Sequence, residues 1–250
     1  MIKIQEVKLL NYYYTNEEID EIGEGLIRKY NYQAFIQCDP TNIEGFITDH
    51  LNYRIVYDKL ATKDLGKMAF LADGKETILV WRDGKRIEVL PPERMILVDD
   101  FLRQDKNNTR RRFVLAHEAG HIIMDLLHNR PITAAYNNEF DNEQDYSIKD
   151  LSMLFDIRES RATSMGVALL MPKSLIIKKV CAMIGSSKRI PLYGNSVLSD
   201  GARIFIRKLA EHFQVSYKSM FYRLRDLKLF APKEIDDYIE NSFCNLGGAI

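Results

Sequence analysis

Cysteine is scarce in this sequence. Cys38, Cys181 and Cys244 are three in 250 residues, odd in number and far apart, which excludes both a disulfide framework and a thiolate metal site and fits a reducing cytoplasm. Long apolar runs are missing too: stretches such as Val167 to Met171 fall far short of the roughly 20 residues needed to cross a bilayer. The first residues, Met1 to Lys8, carry charge in every turn and no apolar segment ahead of a cleavage site, so no secretion signal is expected. Nor does either sign of charge dominate. Lys+Arg and Asp+Glu balance at 35 each, which denies the chain a global electrostatic footprint for nucleic acid or for an anionic membrane. No internal repeat or low-complexity segment stands out. The expectation is a cytoplasmic protein without a membrane partner.

What is present is an ordinary globular composition, 46% hydrophobic and 28% charged, at a length that suits one catalytic domain with a smaller helical companion. Thr15-Asn16-Glu17-Glu18 and Thr41-Asn42-Ile43-Glu44 each place Glu three residues after Thr, as a capping box requires. Ile19, Ile22, Leu26 and Ile27 follow the first, and Ile43, Phe46, Ile47 and Leu51 the second, each at helical spacing. Short β-rich runs come next, at 54–57, 67–71, 76–81, 86–90 and 95–98, with Asp73-Gly74 and Asp83-Gly84 as turn signals. They read as an antiparallel meander.

A long helix is expected from a cap near Asn108 or Thr109 until Pro131 forbids continuation. A second should run from about Ser147 to Met171, stopped by Pro172. Residues 132–147 between them are polar and read as a surface loop. Beyond a boundary at 172/173 the chain becomes Lys-rich, and Ala202 to Phe213, Gln214-Val215-Ser216 and Tyr217 to Leu229 have the spacing of a helix-turn-helix. The fold class is therefore α+β: a small antiparallel sheet with two long helices in 1–172, and a helical, helix-turn-helix-like region in 173–250.

The first long helix carries His117-Glu118-Ala119-Gly120-His121. Histidines at i and i+4 project from one helical face and can reach a single ion, while the intervening Glu can take a proton from a metal-bound water. Two surface histidines would be the bland alternative. It loses ground because Phe113 to Ala116 and Ile122 to Met124 make the helix mostly buried, where unpartnered imidazoles are costly.

The third ligand decides the subclass. A metzincin needs Gly at 124 and His at 127, where this chain has Met124 and Leu127, so that pattern is excluded. His128 reads as a helix-terminal residue interacting with the last carbonyls. An acidic ligand from the second helix remains. Glu159 is well placed, with Ala162 and Gly166 small enough on its face to allow close approach of the two helices. Glu139, Asp141, Glu143 and Asp145 are rivals, and Glu159 could instead be a solvated charge paired with Arg158 or Arg161. Arg110, Arg111 and Arg112 form a basic patch without an assigned role.

The run Arg111-Arg112-Phe113-Val114-Leu115-Ala116-His117-Glu118-Ala119-Gly120-His121, then Glu159-x-x-Ala162 and Leu169-Leu170-Met171-Pro172, resembles the ImmA/IrrE family of metallo-endopeptidases. So does Leu209-Ala210-Glu211-His212-Phe213-Gln214-Val215-Ser216 with Arg223-Leu224 beyond it, so the likeness extends over most of the chain from residue 15 onward. It implies a thermolysin-like zincin core, with Zn²⁺ held by His117, His121 and Glu159 and Glu118 as catalytic base. It also implies a protein substrate, a helix-turn-helix transcriptional repressor whose cleavage relieves repression. Two features depart from the family pattern: Thr163 stands where Asn is usual, and 37 residues separate His121 from Glu159. Thr163 can still hydrogen-bond a ligand.

Two other functions share these motifs. One is a zinc-bearing anti-repressor that binds a repressor without cutting it. The other is a DNA-binding regulator acting through residues 202–230, where Lys218, Arg223, Arg225 and Lys228 could meet phosphates. Direct DNA binding is not expected, because Asp226 interrupts the basic residues and the chain is neutral. Phe205, Leu209, Phe213, Met220, Leu224 and Leu227 read as a packing surface.

Overall fold

A computed structural model describes residues 14–61, 68–128, 148–185 and 189–244, with side chains throughout except at 148–156 and 241–244. Packing groups the residues into two compact units, Met1–Gln37 with Thr41–Pro172, and Cys38–Pro40 with Lys173–Ile250.

In the first unit, helix α1 (Asn16–Tyr30) starts at the expected capping box. The Thr15 hydroxyl accepts from the Glu18 amide at 3.2 Å and the Glu18 carboxylate accepts from the Thr15 amide at 2.7 Å, satisfying two amides that a helix start leaves without partners. A short helix α2 (Tyr32–Gln37) follows. The second capping box does not form. Asn42 is the cap, accepting from the Gly45 amide at 3.1 Å, because Thr41 is buried and its hydroxyl donates to the Leu169 carbonyl at 2.8 Å. The Glu44 carboxylate is drawn to Arg111 at 3.0 Å. The helical turn there spans Ile43–Gly45 and continues as a π-helical turn, Phe46–His50, burying Ile43, Phe46 and Ile47.

The strands are β1 (Arg54–Asp58), β2 (Ala69–Ala72), β3 (Ile78–Arg82), β4 (Lys85–Val89) and β5 (Met95–Asp99). The α+β class stands, but the strands do not form one antiparallel meander. β5 is central, parallel to β1 and antiparallel to β2, while β3 and β4 make a separate hairpin. Burial explains the division. Met95, Ile96, Leu97 and Val98 are buried without alternation, the signature of a strand covered on both faces, whereas β3 alternates buried Ile78 and Val80 with exposed Leu79. The hairpin turn uses left-handed Asp83 and Gly84 at φ of 51° and 73°, the pairing that a two-residue turn of this hand demands.

Tyr53, at the entry to β1, is 3% exposed and its hydroxyl has no hydrogen-bond partner. Burial, reinforced by Asp125 and Glu93 against Arg94, pushes the phenol from 10.0 up to about 12. A raised folded value means that the contribution of the neutral phenol is complete below pH 10 and lost as pH climbs through 12, about 2–3 kcal/mol for such a shift. In Tyr53→Phe the part of alkaline destabilisation falling between pH 10 and 12 should disappear, with little cost at pH 7 because no hydrogen bond is lost. Denaturant melts of both proteins across that range check it; superimposable alkaline profiles would refute the assignment.

Two long helices, α3 (Asn108–Leu127) and α4 (Ile148–Leu170), complete the unit. The α3 cap is Asn107, without a side-chain cap bond, since its amide donates to the Phe101 carbonyl instead. Arg111 ties the helix start down, donating to the carbonyls of Leu102 and Arg103 at 3.3 and 3.1 Å and to Asn108 Oδ1 at 3.0 Å. The basic patch thus has a structural part: Arg112 is buried and Arg110 lies over the Phe101 ring. Neither α3 nor α4, nor any other helix among the described residues, is long and apolar enough to cross a membrane.

The second unit contains α5 (Lys173–Ile184), β6 (Ile190–Tyr193), α6 (Asp200–Phe213), α7 (Tyr217–Asp226), β7 (Phe230–Lys233) and α8 (Ile235–Cys244). The helix-turn-helix spacing is realised by α6 and α7. Gln214 takes the left-handed conformation at φ 53° and ψ 46°, and Ser216 caps α7 by accepting from the Ser219 amide at 3.0 Å. The parallel β6/β7 pair is not legible in the sequence.

Candidate metal centre

His117 and His121 sit one turn apart on α3, and Glu159 reaches them from α4. The two Nε2 atoms are 3.1 Å apart, and Glu159 Oε2 and Oε1 lie 3.1 and 3.3 Å from His117 Nε2 and His121 Nε2. Ligand atoms of all three residues fall within 4.8 Å of one another. A tetrahedral ion at about 2.0–2.1 Å from each donor separates neighbouring donors by about 3.3–3.4 Å, close to the edges of this triangle.

The helices meet closely because small residues face each other. A Cβ on Gly120 would overlap the Ala162 carbonyl oxygen and lie 2.9 Å from its carbon, and one on Gly166 would lie 2.8 Å from the Ala116 carbonyl oxygen. Ala162 and Gly166 therefore act as the sequence suggests, and Gly120 inside the histidine motif is their missing counterpart. Beside the ligands, Arg158 donates to the buried Asp125 carboxylate at 2.9 Å. Asp125 is one turn past His121, so this ion pair joins α3 to α4 and engages the Arg that stands next to Glu159 in sequence. Arg161 donates to Asn16 at 3.1 Å. The Glu159 carboxylate, half exposed, faces the imidazoles.

His117 Nδ1 lies 3.2 Å from Thr163 Oγ1. With Nδ1–H donating to that hydroxyl, Nε2 carries a lone pair. Thr163 is therefore placed to orient the His117 ring. Lone pairs from an imidazole and a carboxylate then converge on one point, an arrangement that needs a cation between them. Burial pushes His117 down, but Glu159 and Glu118 outweigh it and the net shift is upward. Burial raises Glu159, but hydrogen bonds from both histidines outweigh it and hold the carboxyl well below its ordinary range. The donor set of two imidazoles and one carboxylate, three protein ligands in all, fits a catalytic metal.

Glu118 is 6% exposed, and its Oε2 is buried without a hydrogen-bond partner. Burial pushes its carboxyl upward, against the pull of His121 and His117. His128 stands apart as the C-terminal cap of α3, its ring tilted over Tyr14 at 5.5 Å. Glu139, Asp141, Glu143 and Asp145 lie outside the described residues.

The model of the IrrE N-terminal-like domain, Peptidase_M78, matches residues 101–225, which include α3, α4, α6 and nearly all of α7. The chain belongs to this family. No curated protein matches the sequence. Among solved structures the IrrE-like chain is similar to a Mycobacterium tuberculosis transcriptional regulator, with a TM-score of 0.43 and 15% identity over 86% of this chain and 57% of that one. It thus spans less than two thirds of that protein's length.

Proposed function

We propose that the chain is a zinc-dependent endopeptidase whose substrate is a helix-turn-helix transcriptional repressor. The observation that carries the catalytic part is the convergence of His117, His121 and Glu159 beside a buried, unpartnered carboxylate. The substrate follows from the family resemblance. His117, His121 and Glu159 would hold the ion, which would supply Lewis-acid polarisation of the scissile carbonyl and acidification of the attacking water.

The remaining work falls to side chains. Glu118 Oε2 accepts the proton of the attacking water and passes it to the leaving nitrogen, a role that suits a carboxyl raised by burial. Thr163 fixes the tautomer and ring plane of His117. The Arg158–Asp125 pair holds α4 in register so that Glu159 meets both imidazoles.

Metal analysis of the purified protein should find about one zinc per chain, lost in His117→Ala and His121→Ala and weakened at least tenfold in Glu159→Ala. Incubation with a repressor encoded beside it, read by mass spectrometry, should give two fragments that zinc chelation suppresses. Stable complex formation with an intact repressor would instead identify an anti-repressor. Zinc retained unchanged in Glu159→Ala would defeat the ligand assignment.

A further inference from the structure

Whole-chain neutrality conceals a segregation of charge. Between Lys173 and Lys233 the sequence carries 13 Lys and Arg against 3 Asp and Glu; with Asp39, Glu234, Asp236, Asp237 and Glu240 counted, the second unit is net +5 and the first net −5. The expectation against DNA binding rests on the neutral total and on Asp226; this division removes the first ground, and Asp226, exposed, is the last residue of α7, one position past Arg225. Concentrated positive charge on one unit attracts a polyanion whatever the remainder carries.

That stretch contains α6 and α7, whose faces divide cleanly. Leu209, Phe213, Val215, Met220 and Leu224 are buried and account for the packing of the two helices. The outer face of α7 needs a different explanation. Tyr217, Lys218, Tyr222 and Arg225 are exposed on it, and the Arg225 guanidinium and Lys218 ammonium lie 4.7 and 6.0 Å from the Tyr222 ring centre. Tyr222, 41% exposed, therefore gathers two cations around one ring without any acidic partner for either among the ion pairs of the described residues. Arg203, Arg207 and Lys208 add exposed positive charge on α6.

In a DNA-binding helix-turn-helix the second helix enters the major groove with its N-terminal residues at the base edges, while the first crosses the backbone. The exposed positions of α7 begin at its N-terminus with Tyr217 and Lys218 and recur one and two turns later at Tyr222 and Arg225, which is the stripe such docking uses. We propose that α6 and α7 form a binding surface for duplex DNA, with α7 in the major groove and Lys218 and Arg225 on phosphates flanking Tyr222. The proposal is independent of the metal centre.

Fluorescence anisotropy with the full-length protein and a labelled mixed-sequence 30-base-pair duplex tests it. Binding at 50 mM salt is expected to weaken steeply by 200 mM, as counterion release requires. Lys218→Ala/Arg225→Ala should lower affinity at 50 mM salt by about tenfold or more and make the dependence on log salt shallower by about two, one unit for each phosphate no longer neutralised. Lys29→Ala/Lys85→Ala, which removes equal charge from exposed positions of the other unit, should leave affinity within about twofold. Far-UV circular dichroism confirms that both variants fold. Absence of salt-sensitive binding, equal losses in the two double variants, or tighter binding to the corresponding single strand would each overturn the proposal.

Discussion

The Glu118→Gln variant is expected to keep its zinc and lose about 10²–10⁴-fold in peptide-bond cleavage, the range that a positioned general base contributes. The two halves of that result have separate causes. Zinc is retained because the ligand atoms belong to His117, His121 and Glu159, whose separations do not involve Glu118. Activity is lost because Gln fills the same volume in the buried face of α3 but cannot accept a proton. The metal-free variant carries a second signature. Burial raises the Glu118 carboxyl, so its favourable contribution is complete at low pH, below the unfolded value, and lost as pH rises through the raised folded value. At pH 7, above the unfolded value, the group therefore opposes folding of the metal-free protein, and removing it should leave the variant no less stable than the parent, with the advantage shrinking as the pH falls towards 4. Thermal melts in chelator at pH 4 and 7, beside cleavage assays with the loaded enzyme, read both effects. Undiminished cleavage would remove Glu118 from the mechanism.

Residues that announce themselves by local pattern are legible in the sequence. The first capping box, the Asp83-Gly84 turn, the histidine pair and the Ser216 cap all depend on groups within a few positions of one another, and each forms as its spacing dictates. What sequence order conceals is competition from distant groups. Thr41 has the right spacing for a second capping box but lies where the Leu169 carbonyl needs a donor, and that long-range bond wins. Similarly, β5 is the last strand of its unit in sequence yet the central one in space, and only its unbroken apolar run, Met95 to Val98, hints at cover on both faces. Arg158 illustrates the same limit at the site. Beside Glu159 in sequence it looks like a candidate partner, but its guanidinium donates to Asp125, 33 positions away. The signal that could have exposed this is the stripe His117, His121, Asp125, three polar residues at four-residue spacing along the largely buried stretch of α3, which must find polar partners on whatever packs there.

Gly120 is where that hidden packing is least forgiving, and Gly120→Ala is expected to damage stability and metal binding together. Ordinary helix propensity favours Ala over Gly by about 0.5–1 kcal/mol. That gain should be realised at Gly25 in α1, where an added Cβ would meet nothing within 4 Å. At Gly120 the sign reverses, because the obstructing atoms are Ala162 O, C and Cα, backbone that no rotamer change can withdraw. Relief requires α4 to move away from α3. Overpacking of this kind costs about 1–3 kcal/mol, and with backbone on both sides the upper end is expected, lowering the melting temperature by about 5–10 °C for a unit of this size. Glu159 precedes Ala162 by less than one helical turn, so the same displacement carries its carboxylate away from both imidazoles, and zinc affinity should fall at least tenfold. The comparison with Gly25→Ala separates loss of a helical glycine from loss of the close approach. A Gly120→Ala protein that bound zinc as tightly as the parent would show that the ligands tolerate separation of the helices, and that the packing of Gly120 on Ala162 serves the core alone.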